Sequence, residues 1–194
     1  MILRLNIGCG ADKKEGYINI DVNPEVSPDL IMDIKTDYFP YEAKSVQTIV
    51  MLHCLEHLEY HTWDHVFMEF NRILKDNGGI ILAYPEFSTC ARYFLSNFAG
   101  KRHYWRSTLY GLQYNRANYH VSPVDSNDLK ETLESYGFYR IKFMACEGQT
   151  HDTVMVAFKD PSPINREQQI AQSLGLPNPK SLPGEFVPAI VNAK

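Results

Sequence analysis

The residues best suited to chemistry begin within the first ten positions. Asn6-Ile7-Gly8-Cys9-Gly10 closes an apolar run that starts at Ile2. Glycine has no Cβ, so a Gly-x-Gly turn at the end of a strand lets the backbone approach a bound molecule closely. Many tight turns use the same pair, and it is the place after the first strand that gives this one weight. The chain continues Ala11-Asp12-Lys13, with no third glycine of a dinucleotide fingerprint. Only nine residues, Gly8 to Gly16, precede the next apolar run, whereas a crossover with its own helix needs about 10–12. Without a helix N-terminus there is no ready pyrophosphate site. A cofactor lacking phosphates fits this turn better.

Two aspartates follow at comparable places. Asp21 ends the run Tyr17-Ile18-Asn19-Ile20-Asp21. A carboxylate there can accept hydrogen bonds from both hydroxyls of a ribose; the competing role is a turn aspartate before Val22-Asn23-Pro24. Asp33 ends the run Asp29 to Met32, where it can accept from an adenine amino group or serve as a cap or turn residue.

The histidines form a second group. His53, His57, His61 and His65 recur every four residues, a spacing that on one helix would put imidazoles on one face, as in metal sites. His53 falls at a strand end, however, so one continuous helix is not expected and neither is a metal. An imidazole near its ordinary pKa can take a proton at neutral pH, which makes His53 the first choice of general base. His120 is the second, with a surface-loop role as its competitor. His57 is expected to line the pocket or serve the structure. Tyr84-Pro85-Glu86-Phe87 sits at the mouth of the fifth strand, where Glu86 would either bind a substrate hydroxyl or cap the next helix. His57, Tyr84, Glu86 and Tyr119 make up the expected substrate-facing set.

The elements that must position these groups are legible from periodicity. Ile2 to Ile7, Tyr17 to Asp21, Asp29 to Met32, Val46 to Leu52 and Gly79 to Tyr84 are short apolar runs, as for strands covered on both faces. Trp63, Val66, Phe67, Phe70, Ile73 and Leu74 share one helical face, and Asn77-Gly78 supplies a stop. A second helix is expected over Phe87 to Ala99. A third starts at Ser126 as its cap and stops at Gly137. Phe138 to Cys146 and Thr153 to Phe158 read as strands whose short connection makes them antiparallel. The predicted fold is a doubly wound, mostly parallel, Rossmann-like α/β sheet with an antiparallel C-terminal hairpin and a short first crossover. Residues 1–159 would form the domain, with an aromatic lid at about 88–122 and a proline-rich tail at 160–194.

Composition narrows the function classes. The 194 residues are 44% hydrophobic and 22% charged, with a net charge of −4, which suits one globular domain and argues against a nucleic-acid partner. No apolar run approaches the ~20 residues needed to cross a bilayer. Four cysteines without Cys-x-x-Cys spacing indicate free thiols and a cytoplasmic location.

The order of these motifs resembles class I S-adenosylmethionine-dependent methyltransferases. The resemblance rests on Asn6 to Gly10, Gly16-Tyr17-Ile18-Asn19-Ile20-Asp21, Asp33, Leu55-Glu56-His57-Leu58, and Arg72 to Gly79. Within that superfamily the chain is similar to small predicted methyltransferases with the G-Y-I-N-I-D signature. The resemblance implies a cofactor set of Asn6, Gly8, Cys9, Gly10, Asp21, Val22, Asp33, Ile34, Leu52 and His53. Gly8, Cys9 and Gly10 would meet the methionine end, Asp21 the ribose, and Val22, Asp33 and Ile34 the adenine. Leu52 and His53 would lie near the sulfonium. The base-methylating Asn/Asp-Pro-Pro-Tyr/Phe motif is replaced by Met51-Leu52-His53-Cys54. The expected activity is methyl transfer to a small molecule, such as a sugar or glycan precursor. The alternatives are a non-catalytic S-adenosylmethionine-binding protein and a nicotinamide-dependent oxidoreductase, the latter disfavoured by the missing third glycine.

Overall fold

A computed structural model describes residues 2–114, 116–145 and 151–159. Seven strands form one sheet: β1 (Leu3–Ile7), β2 (Ile18–Asp21), β3 (Leu30–Ile31), β4 (Val46–Leu52), β5 (Leu74–Pro85), β6 (Tyr139–Ala145) and β7 (Asp152–Phe158). Their order across the sheet is β3-β2-β1-β4-β5-β7-β6. Pairings from β3 to β5 are parallel, while β7 runs antiparallel to both β5 and β6. The mostly parallel α/β sheet and the antiparallel hairpin are therefore as expected. The reversed strand is β7, inserted one place in from the edge.

Alternation along the strands separates two apolar layers. Ile49, Met51, Ile80 and Leu82 face the larger core, where α1 (Trp63–Ile73) and α4 (Ser126–Ser135) bury Phe67, Phe70, Leu129 and Leu133. Val50, Ile81, Val154 and Val156 belong to a smaller cluster on the other face, to which no α-helical residue contributes. The strand order reverses between β1 and β4, and ligands of such sheets bind outside the carboxyl ends of strands at that point.

Several local expectations are corrected. The first four strands are joined without an α-helix; only a 3-10 turn at Pro24–Val26 interrupts these connections. The short β1–β2 crossover is thus a loop, as its length requires. Helix α1 ends at Ile73, and Asn77-Gly78 lie inside β5, which starts at Leu74 by pairing with Val46. The cap of α4 is Asp125, whose carboxylate accepts from the Asn127 amide at 3.0 Å. The neighbouring Ser126 hydroxyl is already bonded to Tyr84 and Glu86. The second helix stops early as α2 (Phe87–Ser96), because Asn97 turns left-handed (φ 51°), and a further helix, α3 (Arg102–Tyr110), follows.

The aromatic segment at about 88–122 packs on itself. Tyr93 stacks on Phe98 at 4.4 Å and meets Trp105 at 4.7 Å, and the Trp105 indole donates to the Phe98 carbonyl. Tyr110, Tyr114 and Tyr119 stay exposed, so the aromatic run serves core and surface at once. Its return segment is pinned to the loop after β4. The Val121 and Ser122 amides donate to the Glu56 carbonyl, and the Ser122 hydroxyl donates to that of Leu58. Among the described residues no helix is long and apolar enough to cross a membrane. The expected tail at 160–194 and most of the β6–β7 connection lie outside the described residues.

Candidate functional site

A cavity of about 770 Å³ opens at the carboxyl ends of β1, β2 and β4, within the size range of small-molecule sites. Its floor is the glycine turn. Gly8 has φ +63°, and a Cβ there would lie 2.4 Å from the Cys54 sulfur. Glycine is needed at this position both for the backbone conformation and for the close approach of the loop after β4. The turn is held from below by Asn6, whose buried amide donates to the Asp12 carbonyl and to Asn19 Oδ1, each at 2.9 Å. Asn6 therefore shapes the turn from outside the cavity lining.

Asp21 fixes the turn from the other side. Its Oδ2 accepts from the Gly10 amide at 2.8 Å and its Oδ1 from Asn23 at 2.9 Å. A carboxylate has about four acceptor positions, so both oxygens keep capacity for ligand hydroxyls. Val22, Asp33 and Ile34 line the next stretch of wall. Asp33 Oδ1 accepts from the Lys35 amide at 3.1 Å, so the residue serves the turn and lines the cavity at once.

His53 closes the wall at the end of β4. Its backbone is left-handed (φ 49°), a conformation unusual for a non-glycine residue and often retained at functional sites. Its amide donates to the Ala83 carbonyl at 2.7 Å. The imidazole lies between two buried carboxylates: Nδ1 is 3.5 Å from Glu56 Oε1 and Nε2 is 3.7 Å from Asp152 Oδ2. The hydrogen bond that the imidazole donates to the Glu56 carboxylate raises the His53 pKa above its ordinary value against the opposing effect of burial. Burial in turn pushes the Asp152 carboxyl up and holds the Cys54 thiol well above its usual range. Burial of this kind disfavours the thiolate form of Cys54.

The segment after α3 contributes Ala117, Tyr119 and Val121 to the opposite wall. His57 also lines the cavity, and its Nδ1 lies 2.8 Å from the Tyr119 carbonyl. Behind it stands His120, with the two rings 4.8 Å apart and nearly perpendicular. Burial lowers the His120 pKa.

Eight expected site residues therefore meet in one cavity: Gly8, Asp21, Val22 and Asp33, with Ile34, His53, His57 and Tyr119. Gly10 and the buried Cys9 lie in the turn but outside the lining, and Leu52 packs with the smaller core cluster. His120 is set back from the cavity. Tyr84 is fully buried, with its hydroxyl 3.0 Å from Ser126 Oγ. Glu86 accepts from the Ser126 amide at 3.3 Å and from the hydroxyls of Ser126 and Thr153. Its side chain makes no capping hydrogen bond to α2 and ties β5 to the start of α4. Burial raises its pKa from 4.5 to about 7. His61 and His65 go elsewhere; His65 bonds the Asp37 carbonyl. Met32, Lys35, Cys54 and Glu59 also line the cavity. For Cys54 no sequence signal exists, because only the folded turn shows why Gly8 needs it as a neighbour.

The family described as "methyltransferase domain" matches residues 7–142, well over half of the chain. No curated protein matches the sequence. Among solved structures, the chain resembles a SAM-dependent methyltransferase from Archaeoglobus fulgidus, with a TM-score of 0.60 and 21% identity over 81% of this chain and 86% of that one. A SAM-dependent methyltransferase from Methanosarcina mazei gives a TM-score of 0.57 and 15% identity over 82% and 92%. Phosphoethanolamine N-methyltransferase 2 of Haemonchus contortus, solved with S-adenosyl-L-methionine, gives 0.54 and 11% over 82% of this chain and 50% of that one. At such identities the likeness establishes the fold. The family match carries the assignment: the chain belongs to the methyltransferase-domain family.

Proposed function

We propose that the cavity holds S-adenosylmethionine and that the protein methylates a hydroxyl of a small molecule, such as a sugar or glycan precursor. The observation that carries the reading is Asp21, which braces the glycine turn through the Gly10 amide and faces the same cavity. The donor set fits the cofactor: a carboxylate with spare acceptor capacity for the ribose, an apolar slot at Val22 and Ile34 for the adenine, and a close-packed turn at Gly8. S-adenosylmethionine supplies a methyl group on a sulfonium sulfur, already activated, so much of the protein's task is positioning. His53 accepts the proton that the acceptor hydroxyl releases. Glu56 and Asp152 on either side stabilise the resulting imidazolium. The mouth between His53 and the lid is the place for the acceptor.

Thermal unfolding with added ligand tests this. S-adenosylhomocysteine at 100 times its dissociation constant adds about 2.7 kcal/mol, which raises the midpoint by roughly 5–11 °C for a chain of this length. NAD is expected to give no shift. Absence of a shift with S-adenosylhomocysteine and S-adenosylmethionine at millimolar concentration overturns the cofactor reading. A shift without methylated product in an acceptor screen would favour a cofactor-binding protein without turnover.

A further inference from the structure

Glu56, His57 and His120 meet at the edge of the cavity. The ligand atoms of Glu56, His57 and His120 all lie within 4.8 Å of one another. We propose that these three side chains form a site for one divalent transition metal of the zinc type, with its remaining coordination positions open to an oxygen of the methyl acceptor. The acceptor role rests on the methyl-transfer reading; the metal site itself does not.

Glu56 and His57 are prepared for a metal by their surroundings. Glu56 is 2% exposed, and its Oε2 has no hydrogen-bond partner among the described residues. A buried, unpaired carboxylate oxygen is costly, and a cation removes that cost. The His57 Nδ1 faces the Tyr119 carbonyl at 2.8 Å. A proton donated there leaves the lone pair on Nε2. Metal-bound histidines nearly always hold their second nitrogen in this way. The His120 ring stands beside it, its centroid 4.8 Å from that of His57 and nearly perpendicular.

Two histidines and a glutamate with a vacant fourth position form a known zinc ligand set. Zinc bonds of about 2.1 Å place tetrahedral ligands about 3.4 Å apart, so the cluster must contract by roughly one ångström. The segment carrying His120 is fixed to Glu56 through the Val121 and Ser122 amides, so the backbones stay in place and the contraction falls to the side-chain torsions. A bound metal would hold the acceptor oxygen and lower its pKa, and His53, 3.5 Å from Glu56 Oε1, would receive the proton.

The test uses the full chain, stripped with a chelator and dialysed, then titrated with zinc chloride and separately with cobalt(II) chloride. One zinc ion per chain is expected, together with a visible cobalt absorption band typical of four- or five-coordinate nitrogen and oxygen ligands. His120→Ala and Glu56→Gln are expected to lose about 100-fold or more in zinc affinity, exceeding the loss for outer contacts. His61→Ala and His65→Ala should bind as the parent does. No zinc bound at 100-fold molar excess, or equal binding in His120→Ala, overturns the proposal. Should either variant fail to fold, the cobalt spectrum of the parent decides alone, its absence counting against the site. The S-adenosylhomocysteine thermal shift of the stripped protein is measured alongside. If it persists while zinc does not bind, the metal proposal has failed and the cofactor reading has not.

Discussion

Replacing Gly8 by alanine makes the most direct use of the geometry at the turn. The backbone at Gly8 has φ +63°, and the added Cβ would sit 2.4 Å from the sulfur and 2.7 Å from the Cβ of Cys54. Left-handed backbone costs an L-residue about 1–2 kcal/mol, and overpacking a dense site costs about 1–3 kcal/mol. The two together predict a loss of about 2–5 kcal/mol, measurable by urea unfolding followed through the two tryptophans. Cys54→Gly in the Gly8→Ala background removes both clashing atoms, so the overlap share returns while the backbone share remains. Cys54→Ala removes only the sulfur and should return less. A double-mutant cycle isolates this coupling. A Gly8→Ala cost below about 1 kcal/mol, or a cycle with no coupling, would refute the reasoning.

Other perturbations separate the roles around the cavity. Asp21→Ala should weaken S-adenosylhomocysteine binding by about 10- to 150-fold, since bonds to a charged acceptor contribute about 1.5–3 kcal/mol; calorimetry on a folded variant with unchanged affinity would remove Asp21 from the ribose. His53→Ala should slow methyl transfer to an accepted substrate by about 10²–10⁴-fold, with little change in S-adenosylhomocysteine affinity; equal loss of both would make His53 a binding residue. Glu86 bears on pH. Its folded pKa of about 7 lies above 4.5, so the folded state holds the extra proton. That stability is fully present below about pH 4.5 and is lost as pH rises through 7, a difference on the order of 3 kcal/mol. Glu86→Gln should flatten the profile between pH 5 and 8, and an unchanged slope in urea unfolding would discount the shift.

The chain's own pattern went furthest where local signals dominate. Val46–Leu52 is the observed β4, because a β-branched apolar run has few alternatives to a buried strand. The nine residues from Gly8 to Gly16 ruled out a crossover helix by length alone. The misses are places where a distant partner decides. Ser126 looks like a cap until Tyr84 and Glu86, some forty residues away, take its hydroxyl and Asp125 takes over. Asn77-Gly78 looks like a helix stop, but pairing between Leu74 and Val46 begins the strand earlier. At the site, Asp21 and His53 are strand ends, so their placement follows from the strands. His120 reaches His57 only because the chain after α3 returns and hydrogen-bonds to the Glu56 carbonyl. No spacing in the sequence encodes that return.

Under the proposed function the carboxyl ends of β1, β2 and β4 hold the methyl donor, with Asp21 at its ribose. A crystal structure of the complex with S-adenosylhomocysteine tests this most directly. The expected result places both ribose hydroxyls within hydrogen-bond distance of the Asp21 carboxylate, the adenine between Val22 and Ile34, and the sulfur on the His53 side of the cavity. A ligand bound elsewhere, or one in this cavity whose ribose leaves Asp21 untouched, would contradict it.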